Sequence, residues 1–125
     1  MAIAQEVIDL ISELLEPMGG VTTRRMFGGL GVFRHGLSFA LYSSQGEFAL
    51  KVDDQTIDEF KAYGFKLWVP PMKNRKPVNM GYWVAPEHLL EDQDELLHWA
   101  NLAFEAAVRL DQKKPLKQQK LKLNG

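Results

Sequence analysis

Residues 2–16 place Ile3, Val7, Leu10, Ile11, Leu14 and Leu15 on one helical face, with Asp9, Ser12, Glu13 and Glu16 opposite. That spacing predicts an amphipathic helix. Pro17 and the Gly19-Gly20 pair end it, because proline lacks the amide a helix needs and glycine leaves helical geometry easily. Further on, the period shortens to two. Gly31–Phe33 and Leu37–Tyr42 read as strands joined by Arg34-His35-Gly36, and Ser43-Ser44-Gln45-Gly46 is the next turn. Glu47–Val52 sets Phe48, Leu50 and Val52 against Glu47, Ala49 and Lys51, the alternation of a half-solvated antiparallel strand.

Asp53-Asp54-Gln55-Thr56 introduces a short second helix. Thr56 and Glu59 are spaced as a capping box, Ile57 and Phe60 form its apolar face, and Gly64 suits its C-terminal end. Phe65–Val69 reads as a fourth strand stopped by Pro70-Pro71, and Val78, Met80, Tyr82 and Val84 alternate in a fifth. The last helix covers about Asp92–Leu110, with Leu96, Ala100, Ala103, Phe104, Ala107 and Leu110 apolar. Asp92, Asp94 and Glu95 complement the positive end of its dipole and Arg109 the negative end.

The order is therefore α-β-β-β-α-β-β-α. Short hairpin links imply an antiparallel sheet of about five strands, and the apolar helix faces must cover it. The predicted fold class is α+β, a two-layer sandwich. Its expected core is Met26, Phe27, Phe39, Phe48, Leu50, Val52, Phe60, Met80, Tyr82, Ala100, Phe104 and Ala107.

The 125 residues suit one domain, and the net charge of −1 conceals an asymmetry. Of 15 cationic residues, Lys113, Lys114, Lys117, Lys120 and Lys122 fall in residues 112–125, where there is no acid. Residues 1–111 thus hold ten cations against 16 anions, a net −6. The division is a folded domain over 1–111 and a basic tail over 112–125. Pro115 and the scattered lysines predict a disordered tail, although Leu116, Leu121 and Leu123 leave room for an inducible helix. An acidic body of this kind is not the broad basic face of a dedicated DNA binder. The chain has no cysteine, which excludes disulfides, thiolate metal sites and cysteine nucleophiles. No apolar run approaches the roughly 20 residues of a membrane span, and the start lacks the basic and apolar regions of a signal peptide. The expected location is cytoplasmic, with no membrane contact.

Candidate chemistry is sparse. His35, His88 and His98 show no metal-ligand spacing, no serine sits in a Gly-x-Ser-x-Gly elbow, and the carboxylates fall in helix first turns and on polar faces. The expectation is a protein that is not an enzyme and holds no metal or cofactor. Arg24-Arg25-Met26-Phe27-Gly28-Gly29-Leu30-Gly31-Val32-Phe33 is the densest motif. It has neither the lysine spacing nor the strand-loop-helix context of a phosphate loop. Its structural explanation is a tight turn in which Gly28 and Gly29 take conformations a side chain would strain. Its functional one is a recognition surface in which Arg24 or Arg25 meets an acidic group. A second candidate surface, Lys66 to Lys76, interleaves Trp68, prolines and Met72 with Lys73, Arg75 and Lys76. The structural alternative there is a hairpin with Trp68 over the core and solvated lysines.

Arg25 through Phe33 combines with Phe39-Ala40, Leu50-Lys51-Val52-Asp53, Phe60 with Gly64, Met80-Gly81-Tyr82-Trp83-Val84-Ala85-Pro86, and the helix from Leu96-Leu97-His98-Trp99-Ala100 to Ala107. In that order and spacing, over most of residues 5–110, the set resembles the TfoX/Sxy N-terminal domain of bacterial competence regulators. The resemblance implies an α+β sandwich akin to the secretion-chaperone-like folds and brings no catalytic residues. It further implies a transcriptional co-regulator, since competence regulators act with a cyclic-AMP receptor protein on DNA-uptake genes. Those proteins normally carry a second, helical domain of helix-hairpin-helix type, and residues 112–125 stand in its place here. The favoured reading is a small protein-interaction domain using the Arg24, Arg25, Gly28, Gly29 and Trp68–Lys76 surfaces. Its partner is a protein such as a transcription factor, with a homodimer left open. The alternative is a nucleic-acid-associated protein using Arg24, Arg25, Lys73, Arg75, Lys76 and the tail lysines. The acidic body favours the first.

Overall fold

A computed structural model describes residues 3–26, 28–69 and 81–121. Helix α1 (Gln5–Leu15) turns Ile8, Ile11 and Leu15 inward; Ile11 and Leu15 lie on the predicted face, which omitted Ile8, whereas Leu10 of that face is 43% exposed. A short 3-10 turn over Glu16–Met18 follows, and Gly19 at φ +77° redirects the chain into the sheet. Strands β1 (Val21–Met26), β2 (Gly29–Arg34), β3 (Leu37–Tyr42) and β4 (Phe48–Lys51) run as an antiparallel meander. Helix α2 (Ile57–Tyr63) precedes β5 (Lys66–Leu67) and β6 (Tyr82–Val84), and α3 (Gln93–Gln112) completes the fold. The sheet order is β1-β2-β3-β4-β6-β5, with every pair antiparallel. The fold is α+β as expected, with six strands rather than about five.

The additional strand is β1. Val21-Thr22-Thr23-Arg24-Arg25-Met26 has no apolar alternation, and none of its residues is buried. It needs none, because an edge strand is held by one neighbour's ladder and its charged side chains discourage pairing with another chain. The β2–β3 hairpin closes on His35 (φ +53°) and Gly36 (φ +80°), both in the left-handed region that a two-residue type I′ turn requires.

The core lies between the sheet and the helices. Phe39, Phe48, Leu50, Val52, Phe60, Tyr82, Ala100 and Ala107 are buried as expected. Ala100, Ala103, Ala106 and Ala107 let α3 approach the strands closely. Two expected core residues are not buried. Met26 is 38% exposed, since it ends the edge strand, and its sulfur and the Phe33 ring occupy the space that a side chain on Gly31 would need. Phe104 is half-buried, with the Arg34 guanidinium 4.7 Å above its ring and the Phe39 and His35 rings each 6.0 Å away. Phe27 and Met80 lie outside the described residues, as does the first half of the expected fifth strand.

Two helix ends differ from expectation. No side chain caps α2; the Thr56 hydroxyl instead turns back on Asp53, donating to its carboxylate and accepting from its amide, each at 3.2 Å. Gly64 takes the left-handed position at φ +115°, as predicted. Helix α3 is capped by Asp92, which accepts from the Glu95 amide, and runs on to Gln112. Past it, the expected disorder gives way through Leu121 to a folded-back segment with a 3-10 turn at Leu116–Gln118. Asp111, only 2% exposed, anchors this segment by accepting the amides of Lys120 (2.8 Å) and Leu121 (2.9 Å). Among the described residues no helix is long and apolar enough to cross a membrane.

Candidate functional site

The glycine run turns the chain from β1, which carries Arg24 and Arg25, into β2. Gly28 stands at φ +75°, which a side chain would strain. Gly29 has strand geometry, but a Cβ there would stand 2.7 Å from the Tyr42 carbonyl oxygen. Its constraint is close approach rather than dihedral angle. Gly29→Ala must push β2 from β3, and the expected destabilisation is about 1–3 kcal/mol, measured by urea denaturation. A loss under about 0.5 kcal/mol would show that the strands absorb the methyl group.

The two arginines of β1 divide between roles. Arg25 donates from Nη1 to the Ile3 carbonyl at 2.6 Å and reaches the Gln5 side chain at 3.5 Å. Arg34 of β2 donates to the carbonyls of Gly19 and Met18, both at 2.9 Å. Together they fasten both ends of the α1 segment to the sheet, a structural duty that argues against Arg25 as a recognition residue. Arg24 projects elsewhere and lines a groove.

That groove, of about 570 Å³, runs between β1, the adjoining ends of β3 and β4, and the end of α3 with the folded-back segment. Arg24, Lys51, Lys114 and Lys120 supply its cations; Thr22, Thr23 and Ser38 add hydroxyls; Phe33, Leu37, Ala107 and Leu110 form apolar walls. Asp111 is its one acid among the described lining. Burial opposes ionisation of Asp111, but the amides of Lys120 and Leu121, with Lys114 and Gln112, hold its carboxyl below the ordinary range. Lys51 is half-buried, with its ammonium 4.4 Å from the Tyr82 ring centroid. Burial first, and then the charge of Lys114, lower its pKa. The Tyr82 hydroxyl shares a 2.6 Å hydrogen bond with Ser38 and is pushed up by burial, against the pull of that bond.

The sheet's other edge carries the second predicted surface. Trp68, just past β5, is half-buried; its amide donates to the Tyr82 carbonyl at 2.9 Å and its ring stands edge-on to Tyr82 at 6.2 Å. The Trp68 indole N–H is buried without a hydrogen-bond partner among the described residues. Leu67 and Val69 on either side are 39% and 41% exposed. Lys73, Arg75 and Lys76 lie outside the described residues. Trp68 and Arg24 are thus at opposite edges of the sheet and do not form one surface.

Lys51 escaped the sequence reading as a candidate, and Lys114 and Lys120 entered it only among the tail lysines of the nucleic-acid alternative. Lys51 is marked only as the cation on the polar side of an alternating strand, and the tail lysines join it only because Asp111 folds the segment back. Among family models, that of the TfoX N-terminal domain matches residues 13–107. No curated protein matches the chain. Arg24 and Lys51 fall inside the matched span, Lys114 and Lys120 beyond it.

Proposed function

This chain belongs to the TfoX N-terminal domain family and is a competence-regulator-like domain, and from that premise we propose that it is a cytoplasmic, non-enzymatic protein-interaction module serving transcriptional regulation. The observation that carries the binding role is the apolar strip at the β5 edge, Leu67 and Val69 flanking Trp68. Edge strands offer backbone groups to an added strand, and exposed apolar neighbours supply the area that fixes a partner segment. A protein such as a transcription factor, laying an extended apolar segment along β5, suits this edge. The net −6 of residues 1–111 weighs against nucleic acid as the principal partner.

Affinity capture from cell extract with the whole chain tests the proposal. Leu67→Asp is expected to reduce recovery of the captured protein about tenfold or more, as burying an unpaired carboxylate in an apolar contact costs more than 1.4 kcal/mol. Leu10→Asp, at a 43% exposed position on α1, should retain it. Equal recovery by both variants would remove β5 as the interface. Salt-sensitive gel-shift of duplex DNA, with no protein captured, would favour the nucleic-acid alternative instead.

A further inference from the structure

Helix α1 and the folded-back segment after α3 present exposed patches of opposite charge. On α1, Leu10 is 43% exposed, with Glu6 and Glu13 one turn away on either side. Val7 and Leu14, both half-buried, join it to the core. Asp9, and Glu16 just past the helix, extend the acidic face, and α1 holds no cation. Past α3, Lys113, Lys117 and Lys120 are exposed, and residues 112–121 hold no acid. The ion pairs among the described residues are Arg109–Asp53 and Lys114–Asp111, which leaves these four acids and three lysines outside any pair there. We infer that the chain self-associates, the α1 face of one copy receiving the lysines of a second copy's folded-back segment.

The complementarity of the two patches singles out a second copy as the partner. Helix α1 cannot dock on the α1 of another copy, since acid would face acid, and the lysine segment is kept from its like in the same way. The unlike patches can meet, and every copy brings both. An exchange in which each copy offers α1 to the other's segment is closed by a two-fold axis, with both patches of both copies used. Lysine stems are apolar up to the ammonium; laid across Leu10, they cover it while their charges reach Glu6 and Glu13. One exposed ion pair contributes little, but several around a covered leucine act together. Asp111 prepares the contact. By accepting the Lys120 and Leu121 amides at 2.8 and 2.9 Å it holds the segment in one shape beforehand, which lowers the ordering cost of association. Contacts this small suit a weak, reversible dimer, and the β5 edge takes no part in it.

Sedimentation velocity of the whole chain over roughly 10 µM to 1 mM, the span of weak association, tests this. A monomer–dimer equilibrium that weakens with salt is expected. Glu13→Lys and Lys117→Glu alter exposed positions, and each should weaken dimerisation about tenfold or more by setting like charges together. Mixed in equal amounts, the two variants should associate as the unaltered chain does, because each reversed charge then meets its opposite. Glu59→Lys, at an exposed position on α2, should leave the equilibrium where it was. A chain that stays monomeric throughout would overturn the proposal. So would equal weakening by Glu59→Lys, which signals diffuse attraction, or a mixture that fails to recover. A dimer lost in Leu67→Asp but kept in Lys117→Glu would place self-association at the β5 edge and overturn it as well.

Discussion

Phe60→Ala should destabilise the domain by about 3–5 kcal/mol, the range for an aromatic ring lost from a closed core. Phe60 is fully buried, with Phe65 at 4.6 Å and Trp99 at 4.8 Å between ring centroids, both edge-to-face. Tyr63 and Phe65 also pack on Trp99, at 4.7 and 5.4 Å, so one ring removed loosens a cluster that joins α2, the approach to β5, and α3. Phe60 is the buried residue of α2, a helix of seven residues that is far too short to be stable alone. Its truncation should therefore free α2 as well as open a cavity. The loss is a large share of the roughly 5–15 kcal/mol by which domains are stable. Urea denaturation at neutral pH checks it, and a loss below about 1.5 kcal/mol would mean that the cluster collapses to fill the void.

Asp53→Ala should follow, at about 3 kcal/mol, the lower end for breaking a buried ion pair. The Asp53 side chain is 3% exposed and receives Arg109 in a two-pronged contact, Nε to Oδ2 at 2.6 Å and Nη2 to Oδ1 at 2.9 Å. Arg109 retains 27% exposure, so water softens the loss of its partner. The carboxylate also accepts from the Gln55 amide and the Thr56 hydroxyl, each at 3.2 Å, so its removal unties the start of α2 from the end of α3.

The same pair sets an acid limb of stability. The Arg109 hydrogen bond holds the Asp53 carboxyl below the ordinary range, and burial only partly opposes it. A carboxyl depressed in the folded state stabilises above its unfolded pKa, near 3.9, and that contribution is lost as pH falls through the lower folded value. Stability should fall as pH drops below about 4, less steeply in Asp53→Asn. Asp111, also depressed, keeps part of the limb in that variant. Identical acid limbs in the two proteins would show that Asp53 titrates alike folded and unfolded.

Both effects show where the sequence was legible. Phe60 was placed in the core because Ile57 and Phe60 mark the apolar face of a short helix, a local pattern. Asp53 was read as part of a helix start and Arg109 as a complement to a helix dipole, each plausible within its own segment. Their pairing spans 56 positions and leaves no trace in either segment. Thr56 likewise matched a capping box by spacing, but its hydroxyl was taken by Asp53, a nearer partner once Arg109 had fixed that carboxylate.

Local periodicity sufficed for α1, β3, β4, α2 and α3, because burying one face of a helix or strand imposes a repeat on the residues that form it. The left-handed Gly28 and Gly64 were equally readable, since backbone geometry at a turn demands glycine where it occurs. Tertiary structure alone decided the rest. Strand β1 exists because β2 offers it a ladder, with no hydrophobic alternation of its own. Arg25 and Arg34 became fasteners because the carbonyls of Ile3, Met18 and Gly19, on either side of α1, lie beside the sheet. The basic groove arose only when Asp111 brought Lys114 and Lys120 against Arg24 and Lys51. The hydrophobic repeat is a short-range constraint and is written along the chain. Ion pairs, capping contacts and converging charges are constraints between distant segments, and they acquire partners only when the fold sets those segments side by side.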